Sequence, residues 1–152
     1  MFTISLNLSP TKTINNLVMY VSKKDREVIR LKFNGKCAYS GTDLESDWQI
    51  DHADPVVRNW WTKTAVFENN HNLDNMFPTQ KQINHYKHSY HIESFRGLLN
   101  TLHIRLKKVP ENPYTEKGIK KKAYILKLAA YFGITKDNPF SGKFYFETLN
   151  DY

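Results

Sequence analysis

The chain has 152 residues, enough to bury a core as one domain, and its 14% aromatic content argues against disorder. A formal net charge of +7 favours a polyanionic partner, nucleic acid being the usual one. Cys37 is the one cysteine, which excludes an intrachain disulfide framework, and no run of about 18 apolar residues exists to span a membrane. The opening Met-Phe-Thr-Ile-Ser-Leu-Asn-Leu lacks the basic start of a secretory signal, so the cytoplasm is the expected location.

Phe2, Ile4, Leu6 and Leu8 alternate with polar residues and predict a short strand, ended by Ser9-Pro10. Ile14, Leu17, Val18 and Val21 then follow helical spacing. A second amphipathic helix, Lys23 to Phe33, turns Val28, Ile29 and Leu31 to Phe33 towards the core. Lys23, Lys24, Arg26 and Arg30 lie on its solvated side, and Asn34-Gly35 stops it. Trp48 to His52 reads as a short strand presenting Asp51 and His52 side by side, with Pro55 ending the pairing. Residues 56–74 form a long connection, a length that usually signals function, and Trp60 and Trp61 read as packing residues within it.

A second strand end runs into a helix capped by Thr79, extending from about Gln80 through His91 and on towards Leu106. Helical spacing puts Asn84 and His88 on one face, with Ile83, Tyr86 or Tyr90 towards the core. Pro110 and Pro113 break the chain. A further helix over 115–133 carries the stripe Ile119, Ala123, Leu126 and Ala130 and is stopped by Gly133. Lys117, Lys120, Lys121 and Lys122 crowd its start, where cations oppose the helix dipole; that cost hints at docking on a DNA backbone. Lys143 to Glu147 reads as a strand or extended arm.

The pattern Asp51-His52, Pro55, Asn75, Asn84 and Lys87 resembles HNH nucleases of the ββα-metal class over about 40 residues, or about 50 with the hairpin from Cys37. The resemblance implies an α+β fold, a single domain over 1–152. An HNH core at 37–92 would be flanked by N-terminal helices and a helical C-terminal extension over 93–152. It implies that His52 is the general base, near neutral pH an unprotonated imidazole. Asn75, preferred over Asn69, Asn70 and Asn72 for its spacing to Asn84, would orient His52. Lys87 would pair with phosphate or brace the site. Asp51 and Asn84 would bind Mg²⁺ or Mn²⁺ through oxygen, with His88 as a third ligand. Arg58, Lys87, Lys120, Lys121 and Lys122 are the expected phosphate contacts.

Many such proteins carry a four-cysteine zinc knuckle. Here Cys37 and Ser40, then Gln80 and Ile83, stand at those positions, so a structural zinc is not expected, packing by Tyr39, Leu44 and Ile83 replacing it. A site built from Cys37 with His85, His88 or His91 is the alternative. The implied function is a metal-dependent DNA endonuclease of phage, mobile-element or restriction type, with a homodimer or partner protein supplying sequence reading. The alternatives are a non-catalytic DNA-binding module and a toxin-type nuclease with an immunity partner.

Overall fold

The computed structural model describes residues 20–57, 59, 61 and 66–149. The expected N-terminal strand and the helix around Ile14 lie outside them, as does Arg58. The described chain is a mixed α and β structure, helices with one small two-stranded sheet.

Helix α1 spans Lys23–Leu31, and the Ser22 side chain caps it by accepting from the Asp25 amide. Ile29 is its buried residue; Val28 and Leu31, expected in the core, are about half exposed. Asn34 and Gly35 then take positive φ, 55° and 74°, and turn the chain into a hairpin that ends at Leu44. Strand β1, Gln49–His52, pairs antiparallel with β2, Met76–Thr79, so that His52 faces Met76 and Asp51 faces Phe77. Helix α2, Lys81–Lys87, follows β2 directly and packs on β1.

Gln80 ties the hairpin to this unit. It is buried, donates to the Thr42 hydroxyl at 3.0 Å and the Asp43 carbonyl at 2.8 Å, and accepts from the Glu45 amide at 3.1 Å. Thr79, expected to cap α2, is instead a buried strand residue, and Gln80 starts the helix without a side-chain cap.

The long helix expected from Gln80 towards Leu106 is three helices. After α2, His88 takes φ 51° and reverses the chain. Helix α3 is Ile92–Asn100 and α4 is Leu102–Lys107, joined through Thr101. Apolar spacing runs on across both breaks because Ile83, Phe95, Leu99, Leu102 and Leu106 all enter one core. Helix α5, Glu116–Tyr131, is capped by Thr115 and ends before Gly133 at φ 63°. It buries Ile125, Leu128 and Ala129; the expected stripe faces outward instead, Ile119 and Leu126 being about half exposed. The tail is a short helix, α6, Tyr145–Thr148, not a strand. Phe144, just before it, is fully buried and stacks on Phe95 with centroids 5.4 Å apart. The Tyr145 and Phe146 amides donate to the carbonyls of Tyr39 and Ala38, closing the tail onto the hairpin. Trp61, expected to pack, is 95% exposed; Trp60 lies outside the described residues.

Candidate functional site

Successive side chains of a strand point to opposite sides, and β1 uses this to separate Asp51 from His52. His52 lines an open cleft of about 540 Å³ together with Arg26, Trp48, Gln49, Ile50, His71 and Asn84. Its Nε2 lies 3.1 Å from Nδ1 of His71, the two rings 5.3 Å apart and tilted by 37°. Burial, then the neighbouring His71 and Lys87, push the His52 pKa down to about 4, so its imidazole is neutral at physiological pH. Asn84 donates from Nδ2 to Oε1 of Gln49 at 2.8 Å, which holds α2 against the start of β1. Arg26 brings positive charge: its guanidinium lies 3.9 Å over the Trp48 ring and donates to the Trp48 carbonyl at 2.8 Å.

Asn75 works on the backbone beside this cleft. Its Oδ1 accepts from the Asp54 amide at 2.8 Å, and its Nδ2 donates to the carbonyls of Asp54 at 2.8 Å and Asn70 at 2.7 Å. These bonds lock the end of the long connection to the segment leaving β1. His71 sits inside the stretch so held, and it is the ring of His71, rather than the carboxamide of Asn75, that meets the His52 ring.

On the opposite side of β1, Asp51 faces the interior. Its Oδ2 accepts from the Tyr39 hydroxyl at 2.5 Å and lies 3.0 Å from Nζ of Lys87. Lys87 also donates to the His52 carbonyl at 3.1 Å and is fully buried. Burial raises the Asp51 pKa, while Lys87 and Tyr39 pull it back down; the Tyr39 hydroxyl is raised well above its usual range by the same burial and by Asp51. Of the two roles expected for Lys87, the buried position is that of a brace, and it turns no charge outward to phosphate.

The structure therefore brings His52 and Asn84 into one cleft and keeps Asp51 and Lys87 behind it. His88 is not with Asn84. The helix ends at Lys87, so the shared face expected from a four-residue spacing does not continue to His88, which lies exposed in the turn with Ser89 and Tyr90. Lys121 and Lys122 line a separate pocket between α4 and α5, whereas Lys120 pairs with Glu116 at 2.6 Å. His71 and Arg26 were not marked by any sequence spacing; a histidine in an asparagine-rich connection and an arginine on a solvated helix face carry no signal of their own.

The ligand set Asp51, Asn84 and His88 does not fit a single ion in this arrangement, since only Asn84 lines the cleft. The cleft offers two imidazoles and two carboxamides, and a hard ion such as Mg²⁺ prefers carboxylate oxygen. Among the described residues no three of His, Cys, Asp or Glu are gathered to hold a metal. In the hairpin, Cys37 is buried with its Sγ 3.5 Å from the Thr79 hydroxyl, and the Gln80 hydrogen bonds occupy the place where a knuckle would be tied. Among the described residues no helix is long and apolar enough to cross a membrane. Against known protein families, curated proteins and solved structures, the chain matches none.

Proposed function

We propose that this protein is a DNA endonuclease of the HNH kind that hydrolyses phosphodiester bonds with His52 as general base. One observation carries the reading. An antiparallel strand pair running directly into a helix sets a neutral imidazole, His52, and a helix-borne Asn84 into one open cleft. The resemblance implied that Asp51, His52 and Asn84 converge around one ion; here His52 and Asn84 share the cleft and Asp51 lies behind it.

In this reading His52 accepts a proton from water through Nδ1, because Nε2 is directed at His71. The water oxygen attacks phosphorus, the P–O3′ bond breaks, and the leaving oxygen takes a proton from solvent. Arg26 and the Asn84 carboxamide bind the phosphate oxygens from the cleft wall. A phosphate drawn in beside His52 places negative charge there and raises its pKa towards neutrality, where a general base works best. Asn75 holds the loop bearing His71 and so fixes the His52 ring. The divalent ion that the resemblance implies finds no carboxylate in the cleft.

A second reading, a DNA-binding module without catalysis, is favoured by that same feature: Asp51 is turned inward and engaged by Lys87. Digestion of supercoiled plasmid across a panel of divalent ions, with the termini mapped by sequencing, decides between them. Nicked or linear product with defined ends supports the endonuclease. An unchanged plasmid under every ion, with binding retained, supports the module.

A further inference from the structure

The lysines at the start of α5 form part of a built pocket. Between the end of α4, the Pro110–Pro113 turn and the first half of α5 lies a cleft of about 410 Å³, well apart in sequence from β1 and the His52 site. Its floor is apolar: Val109, Pro110, Pro113 and Ile125. Its rim is cationic: Arg105, Lys108, Lys121 and Lys122.

Two properties set it apart from an ordinary solvated basic face. First, among the described residues none of the four rim cations is paired with a carboxylate. Lys122 donates to the backbone carbonyl of Glu111 and Arg105 to the Tyr86 hydroxyl, whereas neighbouring Lys120 and Lys136 are bridged to Glu116 and Glu111. Four like charges around one cleft repel one another, a cost that a bound anion relieves. Second, the wall is shaped by close approach. A Cβ at position 118 would lie 3.0 Å from Cβ of Pro113 and 3.0 Å from the Thr115 hydroxyl, so Gly118 is what lets the proline turn lie against the helix. Beside that turn Tyr114 is 97% exposed.

An apolar floor inside an unneutralised cationic rim matches one chemistry well, a flat aromatic group flanked by phosphates. The volume falls within the range for a bound small molecule and is far too small for a duplex. We infer that this pocket takes one unpaired nucleotide of single-stranded DNA, its base on Val109, Pro110, Pro113 and Ile125 and its flanking phosphates on Lys108 and Lys121. Single-strand sites elsewhere combine cations along the backbone with aromatic side chains under the bases; here an aliphatic and proline floor takes the place of the aromatic surface. The inference rests on the DNA-binding half of the function proposed above and is independent of hydrolysis.

The test is fluorescence anisotropy of the full chain in EDTA, using a labelled oligothymidylate, an abasic oligonucleotide of equal length and a duplex. The expected order is oligothymidylate tightest, with the abasic strand weaker by on the order of tenfold. The double variant K108E/K121E, changed at exposed positions, is expected to lose a similar factor. Its salt slope should fall by about 1.4, two phosphates at about 0.7 each. Equal affinity for abasic and thymidylate strands overturns the base pocket, as does unchanged binding by K108E/K121E. Displacement by polyglutamate as readily as by unlabelled oligothymidylate overturns it in favour of an acidic protein partner. Cleavage is scored separately on plasmid. Binding through this pocket without cleavage leaves the inference standing and removes the hydrolytic reading.

Discussion

The interior pair of Asp51 and Lys87 gives the sharpest prediction for stability. Their side chains are 6% and 0% exposed and meet at 3.0 Å. Asp51→Asn keeps the volume and leaves no cavity, but strips the ammonium of its counter-charge. Lys87 then keeps only neutral acceptors, the His52 carbonyl at 3.1 Å and a carboxamide oxygen shared with the Tyr39 hydroxyl. Breaking a buried pair from one side costs about 3–5 kcal/mol. For a chain of this size each kcal/mol moves Tm by about 2–4 °C, so Tm should fall by roughly 6–20 °C. Lys87→Met should fall comparably, and the double variant, with no charge left unpaired, should recover at least half of the loss. Thermal unfolding followed by circular dichroism measures all three. An Asp51→Asn variant melting within about 2 °C of the wild type refutes the interior assignment. If that variant also failed to cut DNA, the carboxylate would instead belong in the cleft.

Two further outcomes follow from the cleft and the hairpin. The His52 ring should titrate near pH 4 by NMR, and His71→Ala should move that midpoint up towards the ordinary histidine value by removing a repelling neighbour. Because the folded pKa lies below the unfolded one, the unfolded chain binds more protons between about pH 6.5 and 4; stability is therefore complete above that window and lost as pH falls through it, over a narrower span in His71→Ala. Gln80→Ala removes one acceptor and two donated bonds from the hairpin and should cost about 2–3 kcal/mol in urea unfolding, with faster amide exchange at Glu45; unchanged exchange there would show that the hairpin is held by packing alone.

The strand–strand–helix unit was legible because its signals are local. A β run ending in Asp-His-x-x-Pro and a second run feeding a helix fix register and direction between Gln49 and Lys87. The resemblance singled out Asn75 to orient His52, but its carboxamide bonds only to backbone, pinning two segments, an arrangement visible only in three dimensions. The resemblance put Asp51 on an ion with Asn84, whereas the side chain faces the interior; alternation parts it from His52 but does not say which of the two goes inside. Tyr39 and Lys87, distant in sequence, settle it by supplying a donor and a counter-charge within the core. Helix α5 shows a different failure. It carries apolar residues on two faces, and only the packing of Phe95, Phe140 and Phe144 around Leu128 selects the one that is buried. The breaks at His88 and Thr101 lack glycine or proline, so nothing in the apolar periodicity announces them.

The proposed hydrolysis requires His52 to be the proton acceptor in its open cleft. Single-turnover cleavage of plasmid at saturating protein, comparing wild type with His52→Ala under the divalent ion that best supports cutting, tests this directly, with DNA affinity measured on the same preparations. The expected result is a loss of about 100-fold or more in rate at unchanged affinity. Cleavage by His52→Ala at the wild-type rate would contradict it.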